Sequence, residues 1–213
     1  MDEKFISEYE SVYKEIESRR SQVGVESIQN KSSVVIPNSM QREALKNLEL
    51  QRMRGVDKSL LISATGTGKT FLSAFDVQAS DAKKILFVVH RANITQKAME
   101  SYKRIFGDQK TMGLYSGKSR EKEADFLFST VQTINREEHF KQFSKDYFDY
   151  IIIDETHRAG AKTYQRILDH FSPKFILGMT ATPERTDGYD IFSLFNHNIA
   201  YEIRLQKAMK EDL

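Results

Sequence analysis

The sequence predicts a three-layer α/β domain, a mainly parallel β-sheet with helices on both faces, preceded by an N-terminal helix. From Val34 onward, strand-like runs alternate with helix-like patterns. Several of the runs are continuously apolar, as expected of strands covered on both faces rather than one. The chain has 213 residues and is 39% apolar, enough to bury a core of that size.

Taken in order, Phe5, Tyr9, Val12 and Ile16 recur at helical spacing between charged residues. They predict an amphipathic helix that either packs on the main domain or links to a domain upstream. The polar segment Ser27 to Ser33 reads as a linker, so the chain divides into residues 1–33 and a domain over 34–213. Met40, Ala44, Leu45 and Leu48 share a helix face. The strand candidates are Ser59–Ser63, Lys84–Val89, Lys110–Tyr115, Ala124–Ser129, Phe148–Ile153, Lys174–Met179 and Asn198–Ile203. Between them, Ile94, Ala98, Tyr102 and Ile105 mark one helix, and Tyr164, Ile167, Leu168 and Phe171 another. A helical pattern follows at Gln206 to Leu213. In such folds ligands bind at the carboxyl ends of the strands.

Composition excludes several chemistries. With no cysteine there is no disulfide, thiolate metal site or cysteine nucleophile. The five histidines lack metal-ligand spacing. A net charge of +2 neither requires nor excludes nucleic acid. No run approaches the ~20 apolar residues of a membrane span, and the charged start, Met1-Asp2-Glu3-Lys4, has no signal-peptide core. A soluble, cytoplasmic protein is expected.

The strongest chemical signal is Ser63-Ala64-Thr65-Gly66-Thr67-Gly68-Lys69-Thr70, between the apolar Leu60-Leu61-Ile62 and the helical Phe71-Leu72-Ser73-Ala74-Phe75. A strand, a glycine loop and a helix start in that order make a phosphate-binding loop. Gly66 and Gly68 allow the backbone of Thr65 to Gly68 to curl, so that N–H groups surround phosphate oxygens at a helix N-terminus. Lys69 neutralises the β- and γ-phosphates of ATP, and the Thr70 hydroxyl ligates Mg²⁺. Ser63 departs from the general pattern, which begins with glycine, but it is still small. The second half is Tyr150-Ile151-Ile152-Ile153-Asp154-Glu155, a strand ending in two carboxylates. Asp154 holds Mg²⁺ and Glu155 is the general base toward the attacking water. Their mutual repulsion is relieved by a bound cation.

Asp154-Glu155-Thr156-His157 resembles the DExH box of superfamily 2 helicases, with Thr156 where alanine is usual. Ile36 to Leu45 resembles the glutamine motif of that superfamily, which implies that the Gln41 amide reads the adenine edge. Gly178 to Gly188, with Thr180-Ala181-Thr182-Pro183-Glu184-Arg185, resembles the third helicase motif. The resemblance implies that Thr180 and Thr182 couple the DExH box, through His157, to nucleic-acid binding. The narrower form of this motif is similar to type I and III restriction-enzyme motor subunits, the excision-repair B subunit and bacterial multidomain helicases. In the last group a nuclease domain often precedes the motor. The resemblance covers roughly Pro37 to Gly188 and implies the first RecA-like motor domain, a P-loop NTPase.

The resemblance also implies backbone contacts to nucleic acid from loops at strand ends. The matching segments are Val89 to Asn93, Leu114 to Lys118 and Phe128 to Thr133. The candidates are Arg91, Ser116, Thr130 and, downstream, Arg185, a set suited to phosphates rather than base edges. DNA is the expected track rather than RNA. A second RecA-like domain, which would supply an arginine finger, does not follow in this chain. The chain is therefore expected to bind nucleotide, hydrolyse it poorly and unwind nothing by itself. Two alternatives are a non-catalytic module that signals its ATP state to a partner, and a restriction or repair motor that translocates without unwinding. Glu155 favours an enzyme, because a sensor needs no general base.

Overall fold

The computed structural model describes residues 35–116, 120–156, 161–183 and 190–203. The expected N-terminal helix and linker over 1–33 and the C-terminal helical pattern lie outside the described residues.

Seven strands form one sheet: β1 (Lys58–Ser63), β2 (Ile85–Val89), β3 (Met112–Tyr115), β4 (Phe126–Thr130), β5 (Tyr150–Asp154), β6 (Phe175–Thr180) and β7 (Ile199–Ile203). Their order is β3-β4-β2-β5-β6-β1-β7, and every ladder between them is parallel. All seven predicted strands are present, so the α/β reading holds. Three of them run one residue further than their apolar stretch suggests. Thr130 still pairs with Val89, Asp154 with Met179 and Thr180 with Ile62, so polar side chains end the apolar run before the ladder ends.

Successive strand residues face opposite ways. Leu61, Ile85, Phe87, Phe128, Ile152 and Leu177 pack in one apolar layer. Leu60, Ile62, Leu86, Val88, Ile151 and Ile153 pack in the other. Helices α1 (Ser39–Met53), α2 (Lys69–Ser80) and α3 (Ala92–Phe106) cover the first face through Leu48, Leu72 and Tyr102. On the second lie α4 (Val131–Ile134), α5 (Glu137–Phe140), α6 (Ala161–His170) and α7 (Ile191–Leu194), through residues such as Val131, Tyr164 and Leu194. Three of these helices, α4, α5 and α7, were not foreseen, because a single turn is too short to show a helical period. Among the described residues, no helix is long and apolar enough to cross a membrane.

Helix α1 starts with a capping box. The Gln41 N–H donates to Asn38 Oδ1 at 2.8 Å, and the Asn38 N–H donates back to Gln41 Oε1 at 3.0 Å. Helix α3 stops at Gly107, whose φ of +54° a side chain would resist.

Candidate active site

Parallel strands bring all their carboxyl ends to one edge, and the neighbours β5, β6 and β1 place Asp154, Thr180 and Ser63 there. The phosphate loop leaves β1 at Ser63, turns at Thr65 and Gly66 and enters α2 at Lys69. Gly66 and Gly68 are both left-handed, with φ of +88° and +78°. A Cβ at Gly68 would also lie 2.7 Å from Gln41 Nε2, so the Gln41 amide would have to shift to admit one. Two of the three ammonium N–H bonds of Lys69 are directed at the carbonyls of Ser63 (2.8 Å) and Ala64 (3.0 Å). That aims the remaining donor rather than leaving a flexible stem to find its target. Burial lowers the Lys69 pKa, and the nearby Asp154 and Glu155 offset part of the effect.

Opposite Lys69, Asp154 is 7% exposed. Burial, and then the like charge of Glu155, push its carboxyl up from the ordinary 3.8 to about 6, while Lys69 and the Glu155 N–H pull the other way. The Glu155 N–H donates to Asp154 Oδ1 at 3.0 Å. Glu155 itself has φ +55°, a strained value for a residue with a Cβ, and turns the chain off the strand at the second carboxylate. Thr156, at the variable position, is buried and donates its N–H to Met179 O at 3.1 Å, tying the DExH turn to β6. Thr180 is buried, and its Oγ1 accepts from the Thr182 N–H at 3.2 Å, so these two threonines form one turn beside Asp154.

This constellation fits a Mg²⁺-bound nucleotide. Gly66 and Gly68 leave room for close backbone approach, Lys69 supplies an aimed cation, and a buried carboxylate sits where a metal would relieve it. Among the described residues, no cluster of three or more acidic or histidine side chains could hold a metal alone. Mg²⁺ takes few protein ligands and completes its shell with phosphate and water, so Thr70 and Asp154 would be enough to hold it beside a nucleotide.

The structure places Gln41 against this loop. Its Nε2 donates to Gly68 O at 3.2 Å and its Oε1 accepts from Asn38, so the amide ties the helix start to the phosphate loop. One N–H and one lone pair of that amide are left over for a further partner. His157 and Arg185, together with Lys118, lie outside the described residues.

The candidate nucleic-acid contacts fall on the other half of the same edge. Ser116 follows β3, Thr130 ends β4 and Arg91 follows β2, and these three strands are neighbours. Arg91 is exposed at the start of α3. Thr130 is 9% exposed and caps α4, where its Oγ1 accepts from the Thr133 N–H at 3.2 Å. Beside Arg91, His90 Nδ1 and Gln132 Nε2 lie 3.4 Å apart and join the segment after β2 to α4. Sequence reasoning did not single out that pair.

It also missed a buried network at the opposite end of the strands. Asp76 on α2 is fully buried and accepts from Arg52 Nη1 and Nη2, at 2.7 and 2.8 Å, and from the Tyr150 hydroxyl. The signal was a charged residue within the apolar stretch Phe75-Asp76-Val77.

Residues 34–185 match the family described as type III restriction enzyme, res subunit. A type I restriction enzyme EcoAI endonuclease subunit from Escherichia coli is 32% identical over 162 residues, covering 70% of this chain and 20% of that protein. L396 of Acanthamoeba polyphaga mimivirus, named for an ATP-dependent RNA helicase, is 30% identical over 154 residues, covering 72% of this chain and 29% of that one. The chain thus spans under a third of the length of these relatives. Among solved structures, the Type ISP restriction-modification enzyme LlaGI, in complex with a DNA substrate mimic, shares the fold with a TM-score of 0.63 at 21% identity. The match covers 84% of this chain and 21% of that one.

Proposed function

The chain belongs to the type III restriction enzyme res subunit family, as the first RecA-like domain of a superfamily 2 helicase motor, and from that premise we propose that it binds ATP with Mg²⁺ beside a DNA backbone. The observation that carries the reading is the placement of Asp154, buried and electrostatically strained, in reach of a lysine that two loop carbonyls hold in position.

Each residue has one task. Backbone N–H groups of Thr65 to Gly68 surround the phosphates, and Lys69 neutralises the β/γ end. Thr70 and Asp154 hold Mg²⁺, and Gln41 offers its remaining donor and acceptor to adenine. ATP, when bound, would supply the β–γ phosphoanhydride whose hydrolysis, with transfer of the γ-phosphoryl group to water and ADP leaving, does the work. Glu155 takes a proton from the attacking water, and Lys69 faces the charge that develops on the phosphate. Thr180 and Thr182, with His157, relay the site's state toward the track. Arg91, Ser116, Thr130 and Arg185 contact nucleic-acid phosphates. DNA is favoured over RNA as the track by the restriction-enzyme relative. Efficient turnover and translocation require a second RecA-like domain.

Titration of a fluorescent ATP analogue with Mg²⁺ against the chain and its Lys69→Ala variant tests the nucleotide site. The variant is expected to bind at least about tenfold more weakly, about 1.4 kcal/mol. Equal affinities would remove the assignment. Nucleic-acid stimulation of ATPase activity in the full-length protein tests the motor reading, and its absence would favour a nucleotide sensor.

A further inference from the structure

Ser63 stands where the general phosphate-loop pattern begins with glycine, and the structure gives its hydroxyl a partner. Ser63 Oγ lies 2.6 Å from Thr67 Oγ1, and Thr67 Oγ1 donates to Ala64 O at 2.8 Å. With the single Thr67 proton on that carbonyl, the Ser63 hydroxyl is free to donate in the shorter contact, since its other acceptor, the Met40 thioether at 3.8 Å, is a weak one. The result is a directed run from the Ser63 hydroxyl through the Thr67 hydroxyl to the Ala64 carbonyl. Both side chains are buried, at 1% and 7% exposure, whereas Thr65 and Gly66 between them are exposed. The loop is therefore an arch tied at its feet beneath an open crown. Met40 Sδ, 3.8 Å from Ser63 Oγ, fills the far side of the volume that a glycine would leave.

The Ala64 carbonyl at the end of this run is one of the two that orient Lys69. We propose that the Ser63 and Thr67 hydroxyls are a positioning pair that fixes the Ala64 carbonyl and, through it, aims Lys69 at the phosphates of the nucleotide. This rests on the nucleotide-site reading given above. Neither hydroxyl touches the nucleotide in this role. The pair restores by hydrogen bonding a rigidity that a tight glycine turn would otherwise provide. Hydrogen bonds in series in a low-dielectric site reinforce each other, so loss of either hydroxyl removes the benefit of both.

Non-additivity and hydroxyl rescue are the distinguishing readouts. Titrate a fluorescent ATP analogue with Mg²⁺ against the wild-type chain, Ser63→Ala, Thr67→Val, the double variant and Thr67→Ser, recording a thermal melt for each. Each single loss is expected to weaken binding about five- to tenfold, on the scale of one buried hydrogen bond. The double variant should match either single variant rather than their product. Thr67→Ser, which keeps the hydroxyl, should stay within about twofold of wild type and shows that the site survives substitution at 67. Unchanged affinity in Thr67→Val, multiplicative losses in the double variant, or failure of Thr67→Ser to restore binding would each overturn the pair while leaving the site intact. A wild-type chain that binds no nucleotide, or a Lys69→Ala variant that binds as well as wild type, overturns the site and the pair with it.

Discussion

Replacing Asp154 with asparagine should make the chain more stable and less able to use Mg²⁺. Burial and the adjacent Glu155 raise the Asp154 carboxyl from 3.8 to about 6. At about 1.4 kcal/mol per pH unit, ionised Asp154 burdens the fold by about 3 kcal/mol above pH 6. The folded chain keeps this proton up to about pH 6, whereas the unfolded chain releases it near 3.8. Between those values the native state binds more protons, so the contribution of this group to stability falls as pH rises through the window and is lowest above it. Asparagine still accepts the Glu155 N–H and carries no charge. At pH 8, without nucleotide or metal, Asp154→Asn is expected to be about 2–3 kcal/mol more stable, about 5–10 °C in melting midpoint for a chain of this size. The gap should close as the pH falls below about 4. With Mg²⁺ and ATP the order should reverse, because wild type gains binding stabilisation that the variant lacks. Thermal melts across pH 4–8, with and without Mg²⁺-ATP, decide it. A variant that melts no higher than wild type at pH 8, or a gap independent of pH, would refute the view that Asp154 is strained until a cation joins it.

Further substitutions separate the roles assigned above. Glu155→Gln should bind ATP as wild type does but lose about 10²–10⁴-fold in turnover in the full-length enzyme, since the amide keeps shape without basicity; near-normal turnover would place the base elsewhere. Gln41→Ala should narrow the preference for ATP over GTP in competition binding, whereas Asn38→Ala should cost about 1 kcal/mol of helix-cap stability and leave base preference alone; a wild type indifferent to the base would reduce Gln41 to a structural tie. Asp76→Asn should destabilise the chain by about 2–3 kcal/mol in denaturant unfolding, because the half-buried Arg52 then faces a neutral partner and the buried Tyr150 hydroxyl loses its charged acceptor; a loss below about 1 kcal/mol would show that the network contributes little.

The parts of this molecule legible in its sequence are those where one local rule decides. Strands such as Leu86 to Val89 are buried on both faces and read as unbroken apolar runs. The candidate nucleotide residues Lys69, Thr70, Asp154 and Glu155 could be placed together from the sequence because each lies at a strand end or a helix start. What could not be read depends on contacts between distant segments. The Gln41 amide meets Gly68 O only because α1 crosses the phosphate loop. The destination of Asp76 depends on Arg52, 24 residues before it, and Tyr150, 74 residues after it. Thr130 illustrates a different difficulty. A hydroxyl after a strand suits a phosphate or a helix cap equally well, and here it caps α4. Ser63 looked like a bare departure from pattern until its partner at Thr67 was in view.

The Arg52–Asp76–Tyr150 network joins the end of α1, the middle of α2 and the foot of β5. The helix that carries Lys69 and the strand that carries Asp154 are therefore pinned together at the end remote from the chemistry. Lengthwise slip of β5 against α2 would have to break the buried hydrogen bond from the Tyr150 hydroxyl to Asp76, and slip of α1 against α2 the ion pair with Arg52, so the three elements are tied together at this end. A change at the phosphates would then be passed to the loops that leave the upper rim of the sheet, among them those bearing Arg91 and Thr182. In a motor, that stiffness keeps the stroke from being absorbed inside the domain and delivers it to whatever the rim is holding.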